Sequence, residues 1–355
     1  ASSGDVGGGP SARTRSKSKR TLVDITNIVG HASVNDTAAN CSRATSSVKK
    51  AKKVEHQEEN DLAPTLPVQQ EVVPVPAQGQ VEVRPYMQGE PDDIDSGHLD
   101  DPLKCAQYAN DYHAHIRQIE MKFQIHGSYM AQQPVLNEKF RLMMIERFEQ
   151  LHHKYLLAPE TLHLAVTLMD RFLSLRPVSV EKLLLVGMTC MLLAIKYEEV
   201  KKFPLKDFIV LHNCAFTRRE LLDTESRICR VLEHQLAVPT TYHFLCRYLR
   251  ATHTNDQFLH LACFLGERVL HEYSMLPFLP SVIAATIVRA CRKTLKMAPW
   301  SPTLLRYTQY DEEALEDCAE TLRAVILQPL HPHSLIYKKY SRSNFLRVAL
   351  IVVEV

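Results

Sequence analysis

An all-α fold is predicted for this 355-residue chain: two copies of one five-helix unit behind a long disordered tail. Three observations predict it. Residues 183–195 carry no charge at all. A helix that is apolar on every side must be covered on every side, and the run falls short of the roughly 20 residues that cross a bilayer. Through the body, apolar residues recur at helical spacing, with no period-2 alternation to suggest strands. Finally, Leu162-His163-Leu164-Ala165 returns as Leu259-His260-Leu261-Ala262, an offset of 97. The same offset pairs Leu168, Asp170, Arg171 and Leu173 with Leu265, Glu267, Arg268 and Leu270. It also pairs Gly187, Thr189 and Lys196 with Ala284, Thr286 and Lys293, so the order of stripe, turn and buried helix is preserved.

The tail covers residues 1–100. Its one aromatic residue is Tyr86, and too little apolar surface is available to offset the entropy of ordering the backbone. Charge divides it. Up to Glu55 there are ten Lys/Arg against four Asp/Glu; from His56 to Asp101 there is one basic residue, Arg84, against eleven acidic ones. Six prolines, from Pro64 to Pro91, keep the acidic half extended. The basic clusters at residues 13–20 and Lys49-Lys50-Ala51-Lys52-Lys53 read either as nuclear-import signals or as solvated charge. The import reading places the protein in nucleus and cytoplasm. The chain opens at Ala1 rather than Met, as a fragment or processed product would, and shows neither a signal peptide nor a membrane span.

A helical segment with linker follows over 101–136, helical from Cys105 to Lys122. The first repeat occupies 137–236. Asn137 caps a helix carrying Phe140, Met144, Phe148, Leu151 and Tyr155 on one stripe. Pro159 fits the first turn of the next helix, whose stripe is Leu162, Ala165, Val166, Met169, Phe172 and Leu173, and Arg176-Pro177 ends it. Ser179 is placed to cap the uncharged helix, Pro204 opens a short one, and Thr217-Arg218-Arg219-Glu220 is a capping box that starts the fifth. The second repeat fills 237–330 and an extension 331–355.

Composition restricts function. A net charge of +2 makes no demand for nucleic acid or an anionic membrane. Nine cysteines, odd in number and without a C-x-x-C pair, suit buried reduced thiols. His152-His153 and His113-x-His115 lack a ligand-spaced Cys or acidic companion, so no metal or other cofactor is implied. There is no glycine-rich phosphate loop, G-x-S-x-G or H-E-x-x-H. The body reads as a binding module, not an enzyme.

Three charged sites resist a pure core reading. Arg141 lies beside the stripe of its helix and Asp170 ends the stripe that packs on it; this is a structural pair, since charge is rarely buried unpaired. Glu225 falls within the apolar face formed by Leu221, Leu222, Ile228, Cys229 and Leu232. Lys196 ends the uncharged run. These last two either pair with each other inside the fold or face a partner that completes their hydrogen bonds.

The motifs resemble those of the mitotic cyclins, of A and B type. Ala158-Pro159-Glu160-Thr161-Leu162-His163-Leu164-Ala165-Val166 through Asp170-Arg171-Phe172-Leu173-Ser174 looks like the cyclin-box stretch E-T-L-H-L-A-V…D-R-F-L-S. Leu192-Leu193-Ala194-Ile195-Lys196-Tyr197-Glu198-Glu199 is similar to L-L-A-S-K-[FY]-E-E. Trp300-Ser301-Pro302-Thr303-Leu304 with Tyr307-Thr308-Gln309-Tyr310 resembles the B-type W-x-P-T-L…Y-T-x-Y, and Lys339-Tyr340-Ser341 with Phe345 the C-terminal K-Y-S…F. The resemblance covers about residues 101–348 and implies tandem cyclin-box folds and a non-catalytic activator of a cyclin-dependent kinase. In its terms Lys196 and Glu225 grip backbone groups of the kinase C-helix region. Leu193, Tyr197 and Leu236, with Tyr108 and Tyr112 on the leading helix, add apolar contact. The family also docks R-x-L substrates and inhibitors on a helix M-R-A-I-L-x-x-W; here the matching patch is Phe140, Met143, Met144, Arg147, Leu183 and Leu184, with Arg147 where Trp is usual and Gln150 where an acidic residue is common. In the tail, Lys19, Leu22, Ile25 and Asn27 sit as in the destruction box R-x-x-L-x-x-I-x-N, which implies turnover by a ubiquitin ligase. An alternative within the same fold is a scaffold in transcription that activates no kinase.

Overall fold

A computed structural model describes residues 89–355, apart from 126, 202, 212–214, 253–254 and 298–299. The tail over 1–88, with its basic clusters and the destruction-box-like Lys19, Leu22, Ile25 and Asn27, lies outside the described residues. Among these there are twelve α-helices, several short 3₁₀ turns and no strand.

α1 (Ala109–Glu120) leads. The first repeat is α2 (Glu138–Tyr155), α3 (Pro159–Leu175), α4 (Val180–Glu198), α5 (Leu205–Leu211) and α6 (Arg218–Val231). The second is α7 (Thr241–Arg250), α8 (Asp256–His271), α9 (Pro280–Thr294), α10 (Pro302–Thr308) and α11 (Glu316–Leu327), and α12 (Leu335–Tyr340) closes the chain. The 97-residue offset survives in three dimensions: α5 and α10 begin and end 97 positions apart. So do single interactions. Thr189 Oγ1 donates to Leu185 O (2.6 Å) and Thr286 Oγ1 to Val282 O (2.9 Å).

The local signals act as the sequence predicts at most helix ends. Asn137 accepts from Lys139 N and Phe140 N, Pro159 sits in the first turn of α3, and Thr217 with Glu220 forms a reciprocal capping box. Ser179 occupies the N-cap of α4 but makes no capping hydrogen bond there, a departure from expectation. The stripe of α3 is buried, and from Val186 to Ile195 every residue of α4 is buried, sheathed by α2, α3 and α6. Gly187 is where α2 comes closest: a Cβ there would lie 2.4 Å from Met144 Cε.

Two further expectations need correction. Ordered chain begins before Asp101. Asp92 N donates to Thr303 Oγ1 (3.0 Å) and Ile94 N to Tyr307 OH (3.2 Å), so residues 92–95 form a strap across α10 and α7. Backbone hydrogen bonds and one buried carboxylate hold it, and neither leaves an apolar pattern. On α6, Leu221, Ile228 and Leu232 are buried but Leu222 is exposed, so the apolar face is narrower than its wheel suggests.

Candidate functional site

The site forms where α4 leaves the core. Ile195 is buried and Lys196 is exposed, so the rigid apolar rod delivers an ammonium to the surface at a fixed point. Lys196 Nζ lies 2.5 Å from Glu225 Oε1 of α6, the Lys side chain 50% exposed and the Glu side chain 16%. The structure thus brings the two odd residues together. A pair with one partner this exposed adds little to stability, roughly 1 kcal/mol or less where both ends are in solvent. The second repeat keeps Lys293, but 97 positions beyond Glu225 stands Leu322, fully buried. At this position the first repeat carries a charged pair and the second does not; α9 and α11 are joined instead by Arg289 and Glu316, 2.6 Å apart.

The segments that carry the pair also display apolar side chains. Tyr197 and Val200 are exposed at the end of α4, as is Leu222 one turn before Glu225. Tyr108 and Tyr112, four residues apart at the start of α1, are exposed as well. Partial burial, and after it the Glu198 carboxylate and Tyr197, push the Tyr112 hydroxyl up, so that this one residue of α1 feels the charges at the end of α4. Glu198 itself is pushed up by burial and by the neighbouring Glu160 and Glu199 carboxylates. Glu199 serves the fold instead. Its Oε1 accepts from Ala158 N and Thr161 Oγ1, both at 2.7 Å, which ties the end of α4 to the start of α3. The sequence offered no pattern for this cap, since the partners lie about 40 positions apart.

Other assigned residues fall elsewhere. Leu193 is buried in the core, three residues inside the site, and Leu236 is half-buried beside it. On the second patch, Met143 and Arg147 are exposed and Phe140 and Leu184 half-buried, but Met144 and Leu183 are buried and offer no surface. Met144 is drawn inward because its methyl group packs over Gly187. Arg147 Nη1 donates to Gln150 Oε1 (3.1 Å), so the two positions that depart from the docking motif bond to each other. Arg141 and Asp170 form a buried pair, Nε and Nη2 each 2.8 Å from a carboxylate oxygen. Among the described residues no cluster of three His, Cys, Asp or Glu is arranged to hold a metal ion, and no helix is long and apolar enough to cross a membrane.

Comparison with known proteins decides the family. The family model "Cyclin, N-terminal domain" matches residues 111–237 and "Cyclin, C-terminal domain" residues 239–354. Cyclin-B1-3 of Oryza sativa subsp. japonica is 38% identical over 262 residues, 73% of this chain and 55% of the rice protein. The G2/mitotic-specific cyclin-B of Marthasterias glacialis is 34% identical over 262 residues, 73% of this chain and 67% of that protein. This chain belongs to the cyclin family. The fold of this cyclin is similar to that of a viral cyclin from herpesvirus saimiri, with a TM-score of 0.54 at 18% identity, over 61% of this chain and 96% of the viral one. The cyclin matches little more than half the length of the rice relative.

In this cyclin the motifs quoted from the sequence are also packing elements. Trp300 Nε1 donates to Tyr310 O (2.9 Å), while Lys339 and Tyr340 both bond Glu267 Oε1, at 2.5 and 2.8 Å. Lys196 differs from all of these in standing exposed.

Proposed function

We propose that this cyclin binds a cyclin-dependent protein kinase and activates it, without chemistry of its own. The observation that carries this is the Lys196–Glu225 pair, its Lys exposed at the end of α4, absent at the matching position of the second repeat, with the exposed Tyr197 next to Lys196 in sequence and the exposed Leu222 one turn before Glu225. Apolar side chains near fixed charges suit a protein partner whose helix ends present backbone donors and acceptors. The mechanism is positional. A protein kinase holds its phosphates productively once its C-helix Glu meets its strand Lys. A cyclin that binds the helix-inward state shifts the population towards it by as much as the two states differ in affinity.

Several finer readings extend this. The names of the relatives, G2/mitotic-specific cyclins, support action at G2/M. Leu22, Ile25 and Asn27 support turnover through a ubiquitin ligase, and the basic clusters support residence in the nucleus as well as the cytoplasm. Substrates or inhibitors with R-x-L motifs would meet a patch reduced to Phe140, Met143 and Leu184, with the Arg147 cation opposing their basic end.

Reconstitution tests the main reading. The full chain, added to a panel of monomeric cyclin-dependent kinases, is expected to raise peptide phosphorylation by at least one of them. Failure to bind or stimulate any member would leave the transcriptional scaffold as the reading. For the tail, Leu22→Ala is expected to lengthen the half-life in mitotic extract, and an unchanged half-life removes the degradation signal.

A further inference from the structure

The strap before α1 ends in a buried carboxylate that belongs to neither repeat's core. Asp95 accepts from Arg247 of α7 at two points, Nη1 to Oδ1 at 2.6 Å and Nη2 to Oδ2 at 2.5 Å, with both residues buried. The same Nη2 donates to Asn110 Oδ1 of α1 at 2.8 Å. Arg250 reaches back to Ile94 O (3.2 Å), and the Arg247 guanidinium lies over the Tyr307 ring at 4.8 Å. One guanidinium therefore joins the strap, α7 and α1. Asn110, the α1 residue it holds, stands midway between Tyr108 and Tyr112.

The remaining polar anchors of this leading segment point the same way. Arg117 donates to Thr308 O (2.8 Å) and Tyr248 OH (3.2 Å); Glu120 accepts from Ser281 N (3.1 Å) and Ser281 Oγ (2.8 Å); Gln124 donates to Pro277 O (2.9 Å). All of these partners belong to the second repeat or its turns. Yet Tyr112, which α1 displays, lies within electrostatic reach of Glu198 and Tyr197 of the first.

We propose that Asp95 is a positioning residue: acting through Arg247 and Asn110, it fastens α1 to the second repeat so that Tyr112 is held against the end of α4, by Tyr197 and Glu198, and the two elements form one partner-binding face. The proposal rests on the kinase-binding reading for what that face holds. It gives the second repeat, which lacks the charged pair, a part in the site as the anchor of its aromatic half. A buried ion pair is weak as a source of net stability, but separating its partners leaves a buried charge uncompensated, which disfavours other arrangements of the strap.

Two measurements on the full chain test it. Amide exchange in α1 reads the lock directly. Asp95→Asn is expected to speed exchange over Ala109–Glu120 by about tenfold or more, as local opening becomes easier. The dissociation constant of the kinase complex is then measured for Asp95→Asn, Tyr112→Ala and the double variant. Asp95→Asn is expected to weaken binding about tenfold, but by less than about twofold once Tyr112 is gone, because two residues acting through one contact are not additive. Unchanged exchange in α1, or full additivity with Tyr112→Ala, overturns the proposal. If Asp95→Asn does not fold, Asn110→Ala cuts the link to α1 while leaving the ion pair intact, and the same two criteria apply. Lys196→Glu serves as the control. If it leaves binding unchanged the kinase-site reading fails, while the exchange result still decides the lock.

Discussion

Arg141 and Asp170 meet in a two-pronged salt bridge with both side chains buried, and Arg141 Nη1 goes on to Leu270 O (2.9 Å) and His271 O (3.3 Å) at the end of α8. One guanidinium thus joins two helices of the first repeat to the second. Tyr129 OH donates to Asp170 Oδ1 at 2.7 Å, which completes the carboxylate. Burial works against the Arg141 charge, but Asp170 outweighs it and holds the group above the ordinary arginine range. Arg141→Ala leaves a buried carboxylate without its cation and bare carbonyls on α8, so a loss of about 3–5 kcal/mol is expected. Urea denaturation of the full chain checks it; a loss below about 1 kcal/mol would show that the pair is not what joins the repeats.

Thr217→Ala tests the presentation of Glu225. The Thr217 side chain accepts from Glu220 N (3.2 Å), and Glu220 Oε2 accepts from Thr217 N (2.7 Å). Removing the cap is expected to cost about 1 kcal/mol and to speed amide exchange in the first turn of α6. Protection unchanged in that turn would show that the cap does not hold the helix.

Stability should fall on acidification from neutral pH. Burial pushes His152 down to about 4, with Lys339 acting in the same direction and Glu267 against it, and burial pushes His163 down to about 3. Their Nε2 and Nδ1 atoms, respectively, have no protein hydrogen-bond partner. Both folded values lie below the unfolded histidine value of about 6.5. The unfolded chain therefore binds protons first, and the stability each neutral imidazole contributes above pH 6.5 is lost as pH falls towards the folded values. The slope approaches about 1.4 kcal/mol per pH unit for each imidazole. His163→Leu should flatten the unfolding free energy measured between about pH 6.5 and about pH 4.5; an unchanged slope would rule out His163 as a source of the acid sensitivity.

Most of the fold could be read from the sequence because its signals are local. The uncharged run became α4, Thr217 capped α6, and the 97-residue repeat reappears helix by helix. It reappears even in side-chain logic: Asp170 bonds Arg141 and Tyr129, and its counterpart Glu267 bonds Lys339 and Tyr340. What could not be read was long-range. Asp95 meets Arg247 across 152 positions, and His271 meets Glu149 across 122. Neither pair leaves a periodic trace. At the candidate site, the sequence marked Lys196 and Glu225 as misfits but left open whether they pair or await a partner. In the structure they pair, and the exposure of Lys196 leaves it able to do both. The burial of Leu193, Met144 and Leu183 follows from the pattern, which puts them in the run covered on every side and on the α2 stripe; their surface roles came only from the resemblance, and the pattern prevails.

Whether Lys196 and Glu225 face a kinase or merely each other is decided by charge reversal. Lys196→Glu or Glu225→Lys alone breaks the internal pair, while the double variant restores it with its polarity inverted. The measurement is the dissociation constant and stimulated activity of a cyclin-dependent kinase with each of the three variants, after unfolding curves establish that all are folded. If the pair faces a kinase, both single variants and the double variant lose affinity by at least about tenfold. Recovery of wild-type binding by Lys196→Glu with Glu225→Lys would show that the pair serves the cyclin's own fold, and would contradict the kinase-facing role.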